Sequence, residues 1–144
     1  MANWKEKYKE DYILMVEAGY IAVNQADEDS AFKLFRAAEQ LNTTDQLAKM
    51  GIGYLYLHML DLKNACKVYE EVLEKDPSNE MAKAMLGIAL SLDPNMTSKA
   101  EKVLHEAHHS KNQAIQTLSD TALDFVNKFI KKAPSPVEGH QKRK

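Results

Sequence analysis

Gly19, Gly53 and Gly87 stand 34 residues apart. Twelve positions after each comes a small residue: Ala31, Ala65 and, with one residue inserted, Ala100. A large apolar residue follows four later, at Phe35, Tyr69 and Leu104, and a smaller one three beyond that, at Ala38, Val72 and Ala107. Recurrence at this period constrains the fold more than any other feature. Each unit is too short to bury its own apolar face, so the units must stack, each covering the next. The copies run 12–45, 46–79 and 80–114; Pro77 closes the middle one, and Thr43 holds the equivalent place in the first.

Local signals say what each unit is made of. No proline occurs before Pro77, and the long stretches between turn-forming clusters are rich in Ala, Leu, Lys, Glu and Met, which favour helix. No segment alternates apolar and polar residues as a half-buried strand does. The chain is expected to be all-α, with helices over about 4–25, 28–42, 44–60, 62–75, 79–92, 97–110 and 112–132. Ser30, Thr44, Ser78 and Thr97 are placed to supply N-cap oxygens. In the last helix Ile115, Leu118, Ala122, Phe125, Val126, Phe129 and Ile130 form a stripe that would cap the stack. Residues 133–144, with Pro134, Pro136 and a basic end, lack periodicity and are expected to be a disordered basic tail beyond a single domain at 1–132.

Composition then removes function classes. With 19 basic against 21 acidic residues there is no overall field for nucleic acid or an anionic membrane. The single Cys66 excludes an intramolecular disulfide and fits a reducing compartment; neither an apolar leader nor a membrane-length apolar run is visible. The expected setting is cytoplasmic. No nucleophile motif or glycine-rich phosphate loop is present, so neither catalysis nor a cofactor is expected.

A 34-residue helix-turn-helix unit with these columns resembles the tetratricopeptide repeat. The middle unit carries the resemblance best, through Ile52-Gly53, Tyr56, Ala65, Tyr69 and Pro77. The first has Ala22 in the tyrosine place and lacks the final proline; the third has Leu90 there and an extra residue near Pro94. The resemblance implies a short superhelix of three repeats with a C-terminal capping helix. In it Gly53 and Ala65 are small because the two helices of a unit cross closely, Tyr69 fills the gap towards the next repeat, and Pro77 stops the second helix.

In that family the first helix of each unit lines a concave face. The corresponding positions here are Ile13, Val16, Tyr20, Val23 and Asn24; Leu47, Met50, Tyr54, Leu57 and His58; and Met81, Ala84, Ile88, Ser91 and Leu92. Only Asn24, His58 and Ser91 are polar. Adaptors for heat-shock-protein tails carry Lys and Asn where this chain has Val16 and Tyr20, so their carboxylate clamp is absent. An apolar groove suits an amphipathic helix read through i, i+3, i+4, i+7 anchors. The expected contacts are Ile13, Val16, Tyr20, Val23, Leu47, Met50, Tyr54, Leu57, Met81, Ala84 and Ile88; alternatively, several of these pack against the flanking segments 1–11 and 112–132.

Three such units with an apolar face resemble the chaperones of bacterial type III secretion. Residues 84–94, Ala-Met-Leu-Gly-Ile-Ala-Leu-Ser-Leu-Asp-Pro, followed by Ala100 to Leu104, are similar to the last repeat of the needle-subunit branch, with the translocator branch as second choice. The resemblance implies a holdase for a secreted helical subunit, steadied by a small helical co-chaperone in a hetero-oligomer. Trp4, Tyr8 and Tyr12, spaced i, i+4, i+8, are expected to pack on the first repeat; the alternative is that this edge receives such a co-chaperone. A generic adaptor for helical peptides is the alternative.

One motif points elsewhere. His105-Glu106-Ala107-His108-His109 satisfies H-E-x-x-H, in which two histidines one helical turn apart hold zinc and the glutamate activates water. Against it, Ala107 belongs to a repeat column, Asn112 and Ile115 occupy the places of the extended pattern's glycine and third ligand, and no strand is expected beside it. Catalytic residues and metal ligands are therefore assigned to none.

Overall fold

The computed structural model describes residues 3–131, and all regular structure among them is helical. The expected tail at 133–144 and the end of the expected last helix at Lys132 lie outside the described residues. In chain order the elements are α1 (Trp4–Lys7), α2 (Tyr12–Asn24), α3 (Glu28–Leu41), α4 (Leu47–His58), α5 (Leu62–Lys75), α6 (Glu80–Ser91), α7 (Thr97–His108) and α8 (Gln113–Phe125). Short 3-10 turns at Lys9–Asp11 and Pro94–Met96 precede α2 and α7, and one π-helical turn, Val126–Ile130, ends α8.

Helices α2/α3, α4/α5 and α6/α7 form three helix-turn-helix pairs, each stacked on the next through α3–α4 and α5–α6. The glycine column is where the two helices of a pair meet. A Cβ on Gly19 would lie 2.5 Å from the Phe35 ring, one on Gly53 2.6 Å from the Tyr69 ring, and one on Gly87 2.5 Å from Leu104. Gly51 meets the other side of Phe35, so that ring is gripped by α2 and α4 together. Ala31, Phe35, Ala38, Ala65, Tyr69, Val72, Ala100 and Leu104 are fully buried, as a stack held by these columns requires.

The turns inside the first two pairs repeat as closely as the helices. Ala26 and Leu60, 34 apart, both adopt left-handed backbone, with φ of 58° and 57°. The next amide in each, Asp27 N and Asp61 N, bonds back to Ala22 O and Tyr56 O at 2.9 Å, closing a Schellman turn where glycine is usual. Asp27 and Asp61 then cap the following helix, accepting from Ser30 N and Asn64 N. Ser30 is thus a donor and not the cap. Thr44 and Ser78 lie in turns organised by Asn42 and Asp76, so α4 begins at Leu47 and α6 is capped by Asn79. Thr97 donates to Pro94 O instead of capping. The residue inserted in the third pair is absorbed by the Pro94–Met96 turn.

The first and last expected helices depart most from expectation. The segment expected as one helix over 4–25 breaks at Tyr8 (φ −109°, ψ 13°), because residues 4–11 bury no side chain and nothing holds that stretch in register with α2. Trp4 and Tyr8 are exposed, whereas Tyr12 enters the core. At the other end α8 packs on α7 and α6 and buries Ile115, Leu123 and Val126. Phe125 and Phe129 fall outside that face and touch each other on the surface, ring centroids 5.4 Å apart.

Candidate binding groove

The inner helices α2, α4 and α6 leave a cavity of about 840 Å³. Tyr20 from α2, Leu47, Met50 and Tyr54 from α4, and Met81 and Met85 from α6 form its apolar wall. Five of these were expected from the repeat register; Met85 was not. The polar lip comes from the connections between repeats, Thr43 to Gln46 and Lys75, Asp76 and Asn79. These residues gave no sequence signal beyond being turns, and the turns bring them to the mouth.

An aromatic series runs along the inner face. Tyr20 stands edge-on to Phe35 at 5.2 Å, Tyr54 lies 5.4 Å from Tyr20, and His58 lies 4.5 Å from Tyr54. The Tyr54 hydroxyl donates to Asn24 Oδ1 at 3.2 Å, which fixes this ring across α2 and α4. Burial, then the neighbouring Tyr54, raises the Tyr20 phenol above its ordinary value.

Tyr69 also lines the cavity, although it belongs to the outer helix α5. Gly53 explains how: without a Cβ there, the ring passes α4 and reaches the cavity that Tyr20 and Tyr54 also line. Burial pushes its phenol far above the usual range, with Tyr20 and Tyr54 adding to the effect. Its hydroxyl and the Oε1 of Gln46 are buried without a hydrogen-bond partner.

The remaining expected groove residues lie elsewhere. Val16 and Val23 are core, because α2 packs directly on α4 and spends that part of its inner face on the contact. Ala84 is fully buried against Ala107 and Ile115, since α8 covers the inner face of the last repeat. Leu57 is half-buried beside the cluster around Tyr69, and Ile88 is half-buried outside the cavity wall. Ile13 is exposed beside a separate polar cavity with Lys9, Glu10, Tyr12 and Leu41. Ser91 is buried, donating to Ile88 O at 2.7 Å.

His105, Glu106 and His109 are exposed at the end of α7, and His109 lies past its last helical residue. His108 pairs with Asp120 of α8 at 2.7 Å. Among the described residues no group of three or more His, Cys, Asp or Glu converges as a metal site would require. Cys66 is half-buried, and burial raises its thiol above the ordinary value. No helix among the described residues is long and apolar enough to cross a membrane.

Three stacked helix pairs, a capping helix and an apolar inner groove define a tetratricopeptide-like helical solenoid. No model of a known family matches the sequence, and no curated protein matches it significantly. Solved structures do match the fold. The crystal structure of the type III secretion translocator chaperone SycD of Yersinia enterocolitica, an alternative dimer, superposes with a TM-score of 0.70 at 17% identity, covering 94% of this chain and 96% of that one. The tetratricopeptide domain of Arabidopsis OM64 superposes with a TM-score of 0.64 at 16% identity, covering 81% of this chain and 97% of that one. The chaperone matched in structure is of the translocator branch, the second choice from sequence; the needle branch has no counterpart in these matches.

Proposed function

We propose that this protein is a cytoplasmic chaperone that lays an amphipathic helix of an aggregation-prone secreted subunit into the groove and so keeps that subunit from polymerising. The observation that carries this is the wall formed by Tyr20, Leu47, Met50, Tyr54, Met81 and Met85: large apolar groups converge around an open cavity at the centre of the stack. Such a patch on a soluble surface is aggregation-prone unless a partner covers it. Three flexible methionines beside rigid aromatics suit a helix whose anchors vary in shape. Burying four or five such anchors contributes about 1.5–3 kcal/mol each before ordering costs, enough to compete with self-assembly through the same helical face. Similarity in fold to the secretion chaperone SycD supports the chaperone reading.

Within it, we take the subunit to be of the needle type, on the likeness of residues 84–104 to the last repeat of that branch. Co-expression with a needle-type subunit, followed by affinity capture and size-exclusion chromatography, tests this. A soluble complex with wild type is expected, and none with Tyr54→Glu at an unchanged helical circular-dichroism spectrum. Equal capture by both proteins contradicts the groove as the site.

A further inference from the structure

The groove is not wholly apolar at its floor. Among the described residues four buried side-chain atoms lack a hydrogen-bond partner: Tyr12 Oη, Gln46 Oε1, Tyr69 Oη and His108 Nδ1. His108 is compensated by Asp120 at 2.7 Å. Two of the other three, Tyr69 and Gln46, line the apolar cavity of the groove. Tyr69 is fully buried, and its unpaired hydroxyl lies at the end of a ring threaded past Gly53 towards that cavity. A phenylalanine would fill the same volume without the penalty of an unsatisfied donor. The equivalent place in the first repeat is in fact Phe35, and in the third Leu104.

We propose that Tyr69 is the register-setting contact of the groove, donating its hydroxyl hydrogen bond to one carboxamide side chain, Asn or Gln, that interrupts the apolar stripe of the bound helix. This rests on the helix-binding reading above. The carboxamide is favoured over other acceptors for physical reasons. A helical Ser or Thr turns its hydroxyl back to its own backbone carbonyl, and a carboxylate would have to be buried as a charge. The groove's second unpartnered atom, Gln46 Oε1, is an acceptor, so the cavity offers one free donor and one free acceptor, the complement of an amide in kind. Met50 and Met85, which pack in the Tyr69 cluster and line the same cavity, are unbranched and can shift rotamer to open the hydroxyl. A single buried polar pair inside an apolar seam fixes register at some cost in stability, as a lone core asparagine does in a coiled coil.

The test uses labelled synthetic amphipathic helices: a parent with leucine at every anchor, and variants in which each anchor in turn is glutamine. Fluorescence anisotropy gives their affinities for wild type and Tyr69→Phe. One glutamine variant is expected to bind wild type about five- to tenfold more tightly than the others, and Tyr69→Phe to erase that preference while still binding the parent. The free Tyr69→Phe protein is expected to melt no lower than wild type, because the hydroxyl it loses has no partner in the fold. If wild type ranks all glutamine variants below the parent and Tyr69→Phe leaves the ranking unchanged, the register contact is overturned and the groove reading stands. A lower melting temperature for Tyr69→Phe overturns it too, by showing the hydroxyl to be paired within the fold. Binding of none of these helices by wild type contradicts the helix-binding reading itself.

Discussion

The ring of Tyr69 occupies the space that a side chain at position 53 would need: a Cβ on Gly53 would lie 2.6 Å from Tyr69 Cε1 and 2.7 Å from Cζ. This contact joins the fold to the groove, since it sets the spacing of α4 and α5 and lets the ring reach the inner wall.

Gly53→Ala is therefore destabilising despite alanine's better helix propensity. Overpacking a rigid, buried ring costs about 1–3 kcal/mol, against a propensity gain of about 1 kcal/mol. Urea unfolding should show a lower midpoint. In the Gly53→Ala background Tyr69→Leu should cost less than it does in wild type, because Leu104 is what faces Gly87 in the third repeat. An additive double-mutant cycle would contradict the contact.

Leu60 carries the opposite opportunity. It holds φ of 57° while 71% exposed, so its side chain contributes little packing to offset a left-handed backbone. Leu60→Gly is expected to stabilise by about 1 kcal/mol, raising the melting temperature by about 2–4 °C. A fall in melting temperature would show that the Leu60 side chain is itself a structural contact.

Alkaline pH should unfold the protein through its buried phenols. Burial raises Tyr12 to about 12, and it pushes Tyr69 further and Tyr20 in the same direction. For an acid with a raised folded-state pKa, the neutral form is the one the fold tolerates. The stabilisation is complete below the unfolded value of about 10 and is lost as pH rises from there through the folded values. Phenolate absorbance from these three residues should therefore appear together with loss of the helical signal, and Tyr69→Phe should reduce that late absorbance. Their ionisation at full helicity would show the phenols to be solvated.

How much of this the sequence disclosed follows from which forces are local. The glycine, alanine and aromatic columns recur because close helix crossing dictates residue size at fixed intervals, so three helix pairs and the fully buried Phe35, Tyr69 and Leu104 were legible. Tyr20, Leu47, Met50, Tyr54 and Met81 were legible as groove wall for the same reason. The departures arise where distant parts of the chain meet. Ala84 lies under α8, and Val16 and Val23 lie under α4; a repeat register treats every inner face as open and knows nothing of either contact. Tyr69 was legible as core and not as groove, because its reach depends on the missing Cβ of a residue on another helix. The capping role of Asp27 and Asp61 was within reach of the sequence, since these aspartates obey the same 34-residue spacing as the glycines.

The most direct test of the groove compares two substitutions on different faces. Tyr54 stands in the cavity wall, whereas Leu14 is 63% exposed on α2 and takes no part in the cavity. Anisotropy of a labelled amphipathic helix should show binding to wild type and to Leu14→Glu with the same affinity, and none to Tyr54→Glu, with all three proteins equally helical. Undiminished binding by Tyr54→Glu together with loss in Leu14→Glu would place the site around Leu14 and contradict the groove.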